Sequence, residues 1–221
     1  YEFWQSTMTV LFPNREFTRE AATFALEELA PPEGMFIAAF GPNPSYVGMS
    51  LAEIAELRGK DAVTVYLELI AEADASDGRE SIIARSMTET DIAELLSWPY
   101  TNVSSDGGLN GRHPRGYGSF TRILGRHVRE RGELSLESAI RKMSSLAAEN
   151  TGLSERGEIR EGYFADLVLF DAETVLDRAT PDEPNLTSVG IVGVWVNGAR
   201  VYSAEGVTGN RPGRVLRRRD N

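Results

Sequence analysis

The chain contains no cysteine and only two histidines among its 221 residues. Without cysteine there is no disulfide and no thiolate-ligated metal within it. The two histidines, His113 and His127, lie 14 positions apart and cannot build a histidine-rich hydrolytic zinc site unaided, so the chain holds at most part of a metal site. No apolar run is long enough to span a bilayer, and no basic segment leads into the short apolar core of a signal peptide. Positive charge is scarce: 23 Lys and Arg stand against 33 Asp and Glu, a net charge of −10. That argues against nucleic acid or an anionic membrane as the main partner. The short basic run Arg217-Arg218-Arg219 reads as a solvated terminus. There is no Gly-x-Ser-x-Gly elbow for a nucleophilic serine and no phosphate-cradling Gly-x-x-x-x-Gly-Lys loop. Gly107-Gly108 alone carries no nucleotide signature. These absences fit a cytoplasmic protein.

What is present is globular: 41% apolar and 25% charged residues, enough for a sizeable core. The chain opens with Tyr1 rather than methionine, inside an apolar stretch, and reads as a piece of something longer. Tyr1 to Phe12 has strand composition and stops at Pro13-Asn14. A helix is expected over Thr18–Leu29, with Phe17, Ala21, Phe24, Ala25 and Leu29 on one face, and Pro31-Pro32 to end it. Met35–Phe40 is a short strand bounded by glycines. Ser50 and Glu53 have capping-box spacing for a helix from Leu51 to about Gly59. Asp61 caps the next, with Ala62, Val65, Tyr66, Leu69, Ile70 and Ala73 as its stripe. Ser81–Arg85 reads as a strand, Thr88 to Trp98-Pro99 as a helix, and Tyr100–Ser104 as a strand. That alternation is the rhythm of an α/β barrel. Helices follow at about Ser119–Arg131 and Leu136–Ala148, the latter with Leu136, Ile140, Met143 and Leu146 inward. From Gly157 the pattern turns to strands at Ala165–Asp171, Gly190–Val196 and Arg200–Ser203, the last two joined by an Asn197-Gly198 hairpin turn.

Few residues offer chemistry. Asp106 follows a predicted strand and precedes two glycines, which would stand its carboxylate at a strand's C-terminal end, where barrel enzymes keep catalytic groups. Ser105-Asp106-Gly107-Gly108 is also ordinary turn chemistry. Arg115, in a glycine-rich loop, could clamp a substrate carboxylate with its planar fork or pair with a surface acid. His113 is open to three readings: metal ligand, acid–base group, or a donor that locks its loop. His127 reads as solvent-facing or as helix packing. Phe36, Tyr46 and Met49 could line a pocket or simply fill the core.

Taken together, Ser105-Asp106-Gly107, His113-Pro114-Arg115-Gly116-Tyr117-Gly118-Ser119-Phe120, Arg122 to Glu130, Lys142-Met143-Ser144-Ser145-Leu146 and Gly162 to Asp171 resemble the N-acyl-D-amino-acid deacylase (D-aminoacylase) family of metal-dependent amidohydrolases. The resemblance is dense over residues 86–218 and looser before that. It implies an α/β fold: the terminal part of a (β/α)8 barrel over 1–156, a lid insertion at about 25–85, and strands of a small β-sandwich domain over 157–221. It also implies hydrolysis of N-acyl-D-amino acids to a carboxylate and a D-amino acid. Asp106 would contact the metal-bound hydroxide as general base and then acid. Arg115 would bind the substrate α-carboxylate, with Tyr1, Ser6 and His113 as further substrate contacts. The zinc would be held mostly by ligands upstream of this chain, because the family's His-x-His, bridging cysteine and later metal histidines are not in it. A missing N-terminal barrel segment or a partner chain would have to supply them. Two other readings stand beside this one: a non-catalytic fragment or partner subunit, and a dihydroorotase- or hydantoinase-like amidohydrolase.

Overall fold

The computed structural model describes residues 15–76, 80–108, 113–181 and 183–216. The strand expected at Tyr1–Phe12 lies outside them, as do Tyr1 and Ser6. Contacts divide the chain into two units, Tyr1–Thr88 and Glu89–Asn221, and each is described by itself.

In the first unit, helix α1 (Arg15–Phe24) runs into a wide π-helical segment, Ala25–Leu29, closed by the Ala30 N–H donating to Ala25 O at 3.1 Å. The buried face agrees with the expected one at Ala21 and Ala25 and departs from it at Phe24 and Leu29. Ala21, Ala22, Ala25, Leu26 and Ala30 are buried, while Phe24 and Leu29 are exposed. Ala22 and Leu26 keep α-helical spacing, and the five-residue step of the wide turn from Ala25 brings Ala30 inward in place of Leu29. Strand β1 (Met35–Phe40) then pairs antiparallel with β2 (Glu80–Ala84). Between them lie α2 (Leu51–Arg58) and α3 (Ala62–Asp74).

Both helices start where local chemistry dictates. The Ser50 hydroxyl accepts from Glu53 N–H at 3.2 Å and the Glu53 carboxylate accepts from Ser50 N–H at 2.7 Å. Together they satisfy two of the amide donors that a helix start leaves free. Gly59, at φ 63°, ends α2 in a left-handed turn. Asp61 caps α3 by accepting from Thr64 N–H at 3.0 Å. Leu51, Ile54, Val65, Leu69 and Ala73 face the core against β1. Tyr46 is buried and stacked on Phe40, and Met49 packs against the same core. Phe36 lies beneath the Arg85 guanidinium. These three side chains serve packing.

In the second unit, α4 (Glu89–Ser97) is followed by a segment with no ladder partner among the described residues, so the strand expected at Tyr100–Ser104 is not one. β-favouring side chains need a neighbouring strand to express that preference. Helix α5 (Arg115–Arg122) starts earlier than expected and widens into π turns over Ile123–Glu130. Helices α6 (Leu136–Met143) and α7 (Ser145–Thr151) are broken at Ser144, whose backbone leaves the helical region. Ala139 and Leu146 are buried, whereas Ile140, expected inward, is exposed.

The chain then forms an antiparallel four-stranded meander, β3 (Leu167–Phe170), β4 (Ile191–Val196), β5 (Ala199–Ser203) and β6 (Gly206–Val207). Asn197 and Gly198, at φ 46° and 80°, make the tight turn between β4 and β5. Val168, Leu169 and Val207 are exposed on this sheet. Both sheets are antiparallel, so the βα rhythm has no parallel strand pair among the described residues. No helix among them is long and apolar enough to cross a membrane.

Candidate active site

Three of the five residues singled out from sequence come together. The Arg115 Nη2 lies 2.8 Å from Asp106 Oδ2. At the pair, the absence of a side chain at Gly107 lets its backbone come against that of Gly116. A Cβ on Gly107 would stand 2.6 Å from the Gly116 Cα, so any side chain at 107 would part the two segments. Asp106 sits at φ 48°, in the left-handed region. That conformation turns the chain sharply, and Asp and Asn adopt it more readily than most residues. The Gly107 N–H donates to the Ser105 hydroxyl at 3.3 Å across the bend.

His113 supports Arg115 from behind. The Arg115 N–H donates to His113 Nδ1 at 3.1 Å, which leaves the ring proton on Nε2 when the imidazole is neutral. Burial holds the His113 pKa below its ordinary value. The Arg115 charge lowers it further, and the Asp106 carboxylate opposes both. The neutral ring offers one N–H donor at the edge of the cluster. Of the three readings of His113, its observed role is to accept at the start of α5. Arg115 and Asp106 are 46% and 81% exposed, so their ion pair contributes at most about 1 kcal/mol and opens readily.

Helix α5 is held in place from its far side. Gly118 and Gly125, two turns apart, form a flat strip against the segment that follows β3. A Cβ on Gly118 would lie 2.9 Å from Asp177 Cβ, and one on Gly125 would lie 2.7 Å from Leu176 Cδ1. The nearly buried Asp177 carboxylate faces Arg122 at 3.3 Å and Arg126 at 3.4 Å. The Arg129 Nη1 donates to Val175 O at 2.7 Å. The Ser188 hydroxyl donates to Tyr117 O at 3.0 Å. His127, left open between solvent and packing, is 2% exposed, and its Nδ1 meets Glu133 Oε2 at 2.5 Å.

Sequence reasoning did not single out Asp177 or Lys142 as structural anchors. For Asp177 a signal existed: Arg122 and Arg126 lie four apart on one helix face and call for a shared acid. For Lys142 there was none, since a lysine on a helix reads as solvated.

Among the described residues no three histidine, aspartate or glutamate side chains gather closely enough to hold a metal ion. Asp106 has a cation opposite it, but that cation is Arg115. The described residues therefore do not constitute a metal centre.

Comparison with known proteins places this arrangement in context. Residues 38–202 match the model of the amidohydrolase family. The N-acyl-D-glutamate deacylase of Alcaligenes xylosoxydans xylosoxydans is 45% identical over 179 residues, which are 80% of this chain and 35% of that protein. The D-aminoacylase of the same organism is 41% identical over the same shares. A crystal structure of D-aminoacylase superposes with a TM-score of 0.71 at 39% identity, over 80% of this chain and 36% of that one. The N-acyl-D-glutamate deacylase of Bordetella bronchiseptica, solved with zinc and a phosphonate mimic of the tetrahedral intermediate, gives 0.72 at 40% identity, over 90% and 39%. The chain spans about a third of the length of the curated relatives it matches.

Proposed function

The chain belongs to the amidohydrolase family, and on that premise we propose that it supplies the C-terminal part of a zinc-dependent enzyme that hydrolyses N-acyl-D-amino acids. The observation that carries this reading is the 2.8 Å approach of Arg115 to Asp106. It sets a carboxylate able to carry a proton beside a guanidinium able to bind a carboxylate. Deacylation of an N-acyl amino acid asks for both within the length of one small substrate. The relatives' names, N-acyl-D-glutamate deacylase, D-aminoacylase and N-acyl-D-aspartate deacylase, support the substrate class.

Asp106 takes a proton on its carboxylate from the attacking water and returns it to the departing amine nitrogen. Arg115 receives the substrate α-carboxylate through its fork and thereby fixes which bond faces Asp106. Because its pair with Asp106 is exposed and weak, exchanging one carboxylate for another costs little. His113, neutral, holds the start of α5 and presents its remaining N–H toward the bound ligand. Tyr1 and Ser6 are proposed as hydroxyl contacts to the same ligand.

A zinc ion, as in the Bordetella relative, would lower the pKa of bound water. Its ligands would come mostly from a preceding barrel segment or a partner chain, with Asp106 the carboxylate offered from here. In this reading residues 1–156 are the last part of a (β/α)8 barrel with a lid at about 25–85, and 157–221 belong to a small β-sandwich domain. The meander that begins at β3 supports the second part of that division. The lack of cysteine favours a cytoplasmic setting.

The test uses the full-length zinc enzyme and a panel of N-acetyl-D-amino acids. Asp106→Asn should lower turnover about 100-fold or more. Arg115→Met should raise KM for free carboxylates about tenfold to a hundredfold, with little change for the matching amides. Near-normal turnover in the first variant, or equal effects on acids and amides in the second, would remove the assignment.

A further inference from the structure

We infer that Lys142 is a positioning residue for Asp106, its ammonium fastening the turn that leads into the Asp106 loop onto helix α6. Lys142 is 4% exposed, on the face of α6 that carries Ala139 and leads on to Leu146. A lysine this deep ordinarily meets a carboxylate; among the described residues none contacts this one. Its Nζ donates instead to two backbone carbonyls, Trp98 O and Thr101 O, the latter at 3.0 Å. These oxygens are the two ends of one turn, closed by the Thr101 N–H donating to Trp98 O at 3.2 Å. The turn directly follows α4, where the helix presents the negative end of its dipole to a cation.

The same turn is held at further points. The Lys142 carbonyl accepts from Val103 N–H at 3.1 Å. The Arg141 Nη1 donates to Pro99 O at 3.3 Å, and the Asn150 Nδ2 to Asn102 Oδ1 at 2.8 Å. From Trp98 to Val103, every residue but the exposed Tyr100 is tied to α6 or α7. This segment has no strand ladder among the described residues, and these bonds hold it. Three residues beyond the last tie stands Asp106.

An apolar side chain could fill the space without the cost of burying a charge. Burial and the neighbouring Arg141 charge both lower the Lys142 pKa, which is the sign of that cost. A cation on a long stem delivers several donors from a helix face to carbonyls that point different ways, which an apolar side chain does not.

The inference rests on the reading of Asp106 as the proton carrier, so its test has one readout that needs no substrate. In the full-length enzyme, Lys142→Met keeps length and removes the donors. Amide hydrogen exchange in 98–108 should quicken about tenfold or more while α5 and the β3–β6 sheet keep wild-type protection. On the N-acyl-D-amino acid that the wild type prefers, kcat should fall about tenfold or more with KM within about twofold, because Asp106 and not the carboxylate clamp is displaced. Lys142→Arg, which retains cation and donors, should recover most of both losses. Wild-type exchange in 98–108, equal quickening across the whole second unit, or a loss carried in KM would each overturn the inference. Should the methionine variant not fold, lysine-selective nitrogen-15 NMR of the wild type decides. A slowly exchanging Lys142 ammonium is expected, and exchange at the rate of exposed lysines would overturn it. A wild type inert on every N-acyl-D-amino acid, with 98–108 still loosened in the variant, would sink the functional reading and leave the fastening of the turn by Lys142 standing.

Discussion

Gly107 and Gly116 meet at one contact, but a methyl group added from either side meets different things. On Gly107 it would stand 2.6 Å from the Gly116 Cα, and on Gly116 it would stand 3.6 Å from the Gly107 Cα. The second distance is an ordinary van der Waals contact. The first requires the two backbones to separate by about 0.8 Å to reach the 3.4 Å at which such contacts begin. Neither glycine has a positive φ, so alanine strains no dihedral at either place and the comparison isolates contact. Separating the backbones pulls Asp106 away from Arg115. A misplacement near 1 Å costs up to about a hundredfold in rate, so Gly107→Ala should lower kcat/KM on an N-acyl-D-amino acid about tenfold to a hundredfold. Gly116→Ala, in the first turn of α5, should leave the rate within about twofold and gain up to about 1 kcal/mol from helix propensity. The assay is steady-state hydrolysis by the full-length enzyme, with a denaturant titration of each variant. Turnover by Gly107→Ala within twofold of wild type, or equal losses in the two variants, would refute the steric argument.

Three other outcomes follow from the packing. Asp177→Asn removes the charge shared by Arg122 and Arg126 at a side chain only 6% exposed; it should cost about 1–3 kcal/mol by denaturant titration, and an unchanged midpoint would deny the anchor. Ser50→Ala breaks the capping box of α2, in which the Ser50 hydroxyl also donates to Glu53 Oε2 at 2.8 Å. It should cost about 0.5–2 kcal/mol, read as a lower melting temperature that Ser50→Thr, which keeps the hydroxyl, largely restores. Asp61 has its carboxyl lowered from 3.8 to about 2, first by the Thr64 hydroxyl. Its stabilisation is therefore complete above the unfolded value of 3.8 and is lost as pH falls toward 2. Asp61→Asn should flatten the stability profile across that window, and an unaltered acid slope would remove the assignment.

Local chemistry was legible in the sequence where it acts alone. The boundaries of α2 and α3 follow from Ser50, Glu53, Gly59 and Asp61, because a cap is decided within four residues. The Asn197-Gly198 turn is legible for the same reason. The buried faces of α1 and α6, and of the turns that follow them, were legible only in part. Ala21, Ala25 and Leu146 face inward as expected, but the larger Phe24 and Ile140 are exposed while the small Ala22 and Ala139 beside them are buried, a choice that size alone argues against. Helix α5 begins at Arg115 rather than Ser119; Gly116 and Gly118 are poor helix formers and hide that start, and Gly118 is required there by its close approach to the Asp177 side chain. Tyr100–Ser104 has strand composition but lacks a strand to pair with among the described residues. Of the candidate site, Asp106, His113 and Arg115 were legible through the residues around them. Lys142 was not, because nothing in its neighbourhood distinguishes a lysine that serves carbonyls from one that meets water.

The left-handed backbone at Asp106 bears on which replacements can be compared fairly. At φ 48° glycine, asparagine and aspartate are accommodated, while alanine or glutamate would add about 1–2 kcal/mol of strain. The fold thus narrows the alphabet at this position before any chemistry is asked of it. Within that short alphabet aspartate is the one member whose side chain is a carboxyl, able to take up a proton and give it back. Asparagine is therefore the clean control, and an alanine or glutamate at the same place would report bent backbone and lost acid as a single number.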